Sequence, residues 1–161
     1  MTEQQANNLL DPALHKDSCG FGLIANLDDL PSHWVVATAI EALARLTHRG
    51  AVAADGKTGD GCGLLIKFPE SFLRSVGEEL GFTLSKRFAA GTVFLSQDKA
   101  QGDAGRKTIS KAIEELGLEV AGWREVPVDP SACGAQALAT MPRIEQVFVN
   151  GRDTMPRGAF N

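Results

Sequence analysis

Cys19 stands where the polar pair Asp17-Ser18 gives way to an apolar, glycine-punctuated stretch, Gly20-Phe21-Gly22-Leu23-Ile24-Ala25. A cut between Ser18 and Cys19 would leave a first residue that carries both a thiol and a free α-amine. The thiolate is the reactive form of cysteine. A thiol pKa of about 8.5 beside an α-amine pKa of about 7.7–8.0 makes proton exchange between them nearly balanced at neutral pH, so one residue holds nucleophile and base. The same local residues also suit a buried, inert cysteine near the start of a strand, since free cysteine is among the most buried residue types.

Other groups offer weaker chemistry. His48-Arg49 could bind a carboxylate through the guanidinium fork, or simply complement a helix C-terminus. Gly59-Asp60-Gly61-Cys62-Gly63 looks superficially like a phosphate loop, but it precedes an apolar run and lacks the Lys-Ser/Thr that a nucleotide site needs. The plainer reading is a tight turn where backbone approaches backbone. Asp55 and Asp60 read as solvated or turn-capping acids, and Asn150-Gly151 as a hairpin turn that could be mistaken for an oxyanion hole. The three cysteines Cys19, Cys62 and Cys133 are an odd, widely spaced set without C-x-x-C. They signal neither a disulfide framework nor a metal site, and Cys62 and Cys133 are expected to pack as small residues.

These residues need elements to position them. Met1–Ser18 is polar and aperiodic, a candidate propeptide. A strand is expected over 20–27, then a helix introduced by Pro31-Ser32, with Val36, Ile40, Leu43 and Thr47 on one face and Gly50 as its terminator. A charged, glycine-rich loop, 51–63, leads to an expected strand over 64–68. Pro69 suits the first turn of a helix with the stripe Phe72, Leu73, Val76 and Leu80. Strands are expected over 88–96, 119–126 and 143–150. A helix marked by Ile109, Ala112, Ile113 and Leu116 follows a polar linker, and a short irregular piece precedes the last strand. Alternation of strands and helices by itself points to a parallel α/β sheet, although an antiparallel sandwich fits the same pattern.

Composition limits the class. The chain has 161 residues, 43% hydrophobic and 22% charged, which suits one ordinary globular domain. A net charge of −4 and the lack of a basic patch argue against nucleic acid. No apolar run is long enough to span a bilayer, and the first eighteen residues lack a secretory pattern, so a cytoplasmic location is expected.

Several blocks occur together: Asp17-Ser18-Cys19-Gly20-Phe21-Gly22, Thr47-His48-Arg49-Gly50-Ala51, Ala54-Asp55-Gly56-Lys57-Thr58-Gly59-Asp60-Gly61, Gly122-Trp123-Arg124-Glu125-Val126-Pro127 and Met141-Pro142-Arg143-Ile144-Glu145-Gln146. In this combination the chain resembles the start of the glutamate synthase large (alpha) subunit, over nearly its whole length. The resemblance implies a class II glutamine amidotransferase domain of the N-terminal-nucleophile type, an α+β fold built as a four-layer α/β/β/α sandwich with mainly antiparallel sheets. That overrides the parallel-sheet expectation.

It further implies a propeptide at 1–18, the amidotransferase portion at 19–161, and Cys19 as the catalytic nucleophile that hydrolyses L-glutamine through a thioester. Arg49 and Gly50 match a substrate-binding block that lines the nucleophile region, as supporting and not catalytic residues. No cofactor is implied for this chain. FMN and an iron–sulfur cluster are implied for the complete subunit, whose partners would be the rest of the large subunit and a small subunit.

In the family, the oxyanion Asn-Gly pair and the carboxylate-binding arginine follow the stretch matched here, so Asn150-Gly151 is not that pair. The chain is therefore expected to be an incomplete sandwich, inactive alone and prone to self-association. A non-enzymatic fragment that folds only with a complementing chain is the alternative. An unrelated α/β thiol protein is a third reading, disfavoured by the absence of C-x-x-C.

Overall fold

Three strands rich in β-branched and aromatic residues, β1 (Phe88–Leu95), β2 (Glu119–Glu125) and β3 (Arg143–Asn150), form one sheet in the order β1-β3-β2. The computed structural model describes residues 20–46, 52–59 and 61–152. By contacts the chain divides into two compact units, Met1–Ala51 with Gly59–Leu64, and Val52–Thr58 with Leu65–Asn161.

The sheet belongs to the second unit, and both of its pairings are antiparallel, which corrects the parallel arrangement expected from element order alone. Periodicity reports which face of a strand is buried, not which way the strand runs. β3 is central, with Phe88 opposite Asn150 on one side and Glu119 opposite Asn150 on the other. A register shift between Val120 and Gly122 marks a bulge in β2.

A helix covers part of each face. α2 (Glu70–Glu79) brings Leu73 and Val76 onto Phe88, Phe148 and Leu84, with Phe82, Ala90 and Ala121 packed around them. Phe148 is fully buried at the centre of this cluster. Burial of each such side chain contributes about 1.5–3 kcal/mol. Arg74 fastens α2 to the following segment by donating to the carbonyls of Leu84 (3.0 Å) and Ser85 (3.1 Å), and its guanidinium lies over the Phe88 ring. Gly81, at φ +80, then turns the chain out of the helix.

On the opposite face α3 (Lys99–Glu115) packs against β1 and β2. Trp123 Nε1 donates to Ser110 Oγ, and Arg106 stacks on the Trp123 ring. Beneath α3, Glu145 is buried between Arg143 (2.9 Å) and Arg106 (3.5 Å), and Arg143 also reaches Asp103 (3.1 Å). A 3-10 turn (Pro130–Ala132) and the short helix α4 (Ala135–Thr140) fill the stretch expected to be irregular.

Other boundaries differ from expectation for physical reasons. α3 starts ten residues before Ile109 because Asp98 caps it, accepting from the Gln101 N–H at 2.9 Å, so the polar stretch expected as a linker is its first half, which buries Gly102 and sends Asp103 and Arg106 to the sheet. In the first unit, α1 (His33–Ala44) ends before the expected terminator, and Ile40 is exposed; Thr47 and Gly50 lie outside the described residues. Phe72 and Leu80 of the expected α2 stripe are also exposed, leaving Leu73 and Val76 to make the packing.

Neither of the first two expected strands forms. Residues 20–27 and 64–68 are irregular, with Phe21, Leu23, Leu27 and Leu65 at least 88% exposed. An apolar run states a demand for burial, and a strand exists only where a partner supplies the ladder.

Candidate functional site

Cys19, Arg49 and Gly50, on which the chemistry was expected to rest, lie outside the described residues, as do His48, Asp60 and the stretch 1–18. The described residues do define the segments next to them. The most ordered of these is the turn 52–58, which follows the Arg49-Gly50 block and precedes the glycine-rich Gly59–Gly63.

Its centre is Asp55. The carboxylate accepts from the backbone N–H groups of Lys57 (3.0 Å) and Thr58 (2.7 Å), and from the Thr58 hydroxyl. Thr58 O in turn accepts from Ala53 N–H at 2.7 Å, which closes the turn. Gly134, directly before α4, lies against this turn: a Cβ added there would overlap Asp55 Oδ2 and Thr58 Oγ1. The Thr58 hydroxyl first, then the Thr58 and Lys57 N–H groups, hold the Asp55 carboxyl at a pKa of about 2. The expectation of a turn-capping aspartate therefore holds.

The remaining candidates separate cleanly. Cys62 is exposed in an irregular segment, which corrects the expectation that it packs near a strand start; Cys133 is half-buried beside Gly134. A Cβ added at Gly61 or Gly63 would meet nothing within 4 Å, and neither glycine has a positive φ. These glycines therefore make no close backbone approach of the kind expected from a tight turn.

Asn150-Gly151 is not a hairpin turn. Asn150 ends β3 with its Oδ1 accepting from Ser85 N–H (2.8 Å) and its Nδ2 donating to Thr83 O (3.2 Å). Gly151 N–H donates to Arg87 O at 2.8 Å, so both polar groups of this pair are engaged in holding the 83–87 segment against the sheet end. Neither is directed at a substrate.

Among the described residues no group of three or more His, Cys, Asp and Glu could hold a metal ion. A cleft of about 180 Å³ lined by Arg74, Glu78, Phe82, Thr83 and Leu84 is smaller than the ~300 Å³ at which ordinary ligand pockets begin. No described helix is long and apolar enough to cross a membrane.

What the sequence reading missed is α4 and the packing of the Asp55 turn against Gly134 at its start. The available signal was Gly134 directly before a short alanine-rich run, without any capping side chain of its own.

Comparison with known proteins supplies the class. Residues 19–161 match the family model for glutamine amidotransferases class-II, and the chain belongs to that family. It is 41% identical over 147 residues to ferredoxin-dependent glutamate synthase 1 of Arabidopsis thaliana, covering 90% of this chain and 9% of that protein. It is 36% identical over 145 residues to the glutamate synthase [NADPH] large chain of Bacillus subtilis, covering 90% of this chain and 10% of that protein. With glutamate synthase [NADH] of Schizosaccharomyces pombe the identity is 38% over 147 residues, covering 90% and 7%. The chain thus spans about a tenth of the length of these curated relatives.

Proposed function

We propose that this chain carries the glutaminase nucleophile of a glutamate synthase, and that Cys19 performs the reaction after removal of Met1–Ser18. The observation that carries the reading is the family match, which begins at Cys19. It coincides with the polar-to-apolar junction where a cut would expose thiol and α-amine together.

In this mechanism the Cys19 α-amine takes the thiol proton, and the thiolate attacks the side-chain amide carbon of L-glutamine. The tetrahedral adduct collapses with rupture of the C–N bond, the α-ammonium returns its proton to the leaving nitrogen, and ammonia departs. Water, deprotonated by the α-amine, then cleaves the γ-glutamyl thioester and releases glutamate. Arg49 and Gly50 support the substrate next to the nucleophile.

In the whole protein the ammonia would be added reductively to 2-oxoglutarate, with FMN and an iron–sulfur cluster in other parts of the polypeptide. The antiparallel sheet and its flanking helices would be part of a four-layer sandwich.

The exposed Phe21, Leu23, Leu27 and Leu65 favour a second element in the reading: this stretch is completed by further polypeptide, which also supplies the oxyanion donors and carboxylate clamp. Losing one oxyanion donor costs about a hundredfold or more in turnover, so the isolated chain should not hydrolyse glutamine above background. Ammonia release by the isolated chain and by the intact protein, each with and without Cys19→Ala, tests both parts. Activity confined to the intact protein and abolished by the substitution is the expected result. Robust hydrolysis by the isolated chain, or activity in the intact protein that survives the substitution, would overturn it.

A further inference from the structure

β1 and β2 are the two edges of the sheet, and they are built differently. β2 carries features that keep an edge strand from pairing further: a bulge between Val120 and Gly122, and the charged residues Glu119, Arg124 and Glu125. β1 carries none of them. From Phe88 to Leu95 it contains no charged residue and no proline, and its register with β3 is unbroken.

One bond fixes the direction of its backbone groups. Gly151 N–H donates to Arg87 O, so Arg87 and Gly151 form a hydrogen-bonded pair, and by the alternation of an antiparallel ladder every second pair from there to Leu95 and Arg143 does the same. The N–H and C=O groups of Phe88, Ala90, Thr92 and Phe94 therefore point away from β3. Among the described residues no other group is bonded to them. The strand is also accessible there: Gly91 and Thr92 are exposed, and Phe94 is 67% exposed.

We propose that β1 is a self-pairing edge, through which two copies of this chain join antiparallel into one continuous sheet with three strands from each copy. A twofold axis at Gly91 satisfies every outward group, because it sets Phe88 opposite Phe94 of the second copy and Ala90 opposite its Thr92, all of them residues whose N–H and C=O face the edge. Gly91 then meets its own equivalent at a non-hydrogen-bonded position, where antiparallel Cα atoms come to about 4.5 Å. A second copy fits this edge because β1 is uncharged, so pairing it with itself opposes no like charges. The same register places the open Phe94 ring beside Phe88 of the other copy, on the same face of the sheet, as a cross-strand aromatic pair.

The test uses the full chain with Cys19, Cys62 and Cys133 replaced by serine and one new cysteine introduced. Gly91→Cys sets a thiol against its own equivalent across the twofold axis, within reach of the Cα separation of about 4.4–6.8 Å that a disulfide spans. The substitution fits the single chain, since a Cβ at Gly91 meets only Val147 Cγ1, at 3.8 Å. Mild oxidation should convert most of this variant to a covalent dimer, whereas Val93→Cys, whose partner in this register is Ala89, should stay monomeric on a non-reducing gel. In the unsubstituted chain the amides of Phe88, Ala90, Thr92 and Phe94 should exchange about tenfold more slowly at high than at low protein concentration. No cross-link in Gly91→Cys overturns the proposal, and so does equal cross-linking of Val93→Cys, which marks non-specific association. Protection of those four amides that does not change with concentration overturns it as well, because another segment of the same chain then covers the edge.

Discussion

The Asp55 carboxylate occupies the space in which any side chain at Gly134, directly before α4, would lie. A turn and a helix start distant in sequence thus pack together, with glycine supplying the room. Three donors converge on one exposed carboxylate, and the consequence is visible in its acidity.

Asp55 should titrate at a pKa of about 2, below its ordinary 3.8. Since the folded-state value is depressed, the turn's hydrogen bonds to Asp55 are at full strength above about 4, the unfolded value, and are lost as pH falls toward 2. Carboxyl 13C NMR of Asp55 gives the midpoint directly. In Thr58→Val, which removes the largest cause of the shift, the midpoint should move upward. A midpoint at the ordinary value in the unsubstituted protein would show that the donors do not converge in solution.

Glu145 is buried under α3 with Arg143 and Arg106 as its partners. Removing a partner from a buried charge typically costs about 3–5 kcal/mol, whereas exchanging the whole pair for apolar residues of similar volume is often neutral. Arg143→Met alone should therefore destabilise β3 much more than Arg143→Met with Glu145→Leu. Amide exchange along β3 in the intact protein reads this difference as local opening. Equal losses in the single and double variants would mean that the pair contributes through packing, not charge.

The isolated chain should self-associate. Phe21, Leu23, Leu27 and Leu65 are almost fully exposed, and Phe94 presents an open ring from β1. Apolar groups in such number on a soluble surface mark faces that other polypeptide covers. Sedimentation velocity should show oligomers that diminish when Leu27 and Leu65 are replaced by lysine. A monodisperse monomer with a sharp two-state melt would contradict this.

Legibility in the sequence followed where the folding information lies. β1, β2 and β3 were readable because each strand carries its own burial pattern, and α2 because Leu73 and Val76 recur at helical spacing above a polar face. The segments 20–27 and 64–68 read equally well as strands and are not strands, because pairing is a property of a partner and not of the run itself. The polar start of α3 looked like linker since its cap, Asp98, is a single residue and its packing is made by Gly102 and by the charged Asp103 and Arg106, not by an apolar stripe. α4 was not legible because its N-cap, Gly134, carries no capping side chain and packs against the Asp55 turn, a tertiary relationship that no local window contains. Of the candidate site, the residue types and block order were legible from resemblance. The engagement of both Asn150 and Gly151 in the sheet end became evident only from their hydrogen bonds.

The central claim is that Cys19, freed from Met1–Ser18, is the glutamine nucleophile, and covalent trapping tests it most directly. The intact protein is incubated with a diazoketone analogue of glutamine, and its peptides are mapped by mass. The account predicts a first peptide that begins at Cys19 and bears the adduct on its thiol, with Cys62 and Cys133 unmodified and with protection by excess glutamine. An uncut Ser18–Cys19 bond in active protein, or an adduct carried by Cys62 or Cys133 in place of Cys19, would contradict it.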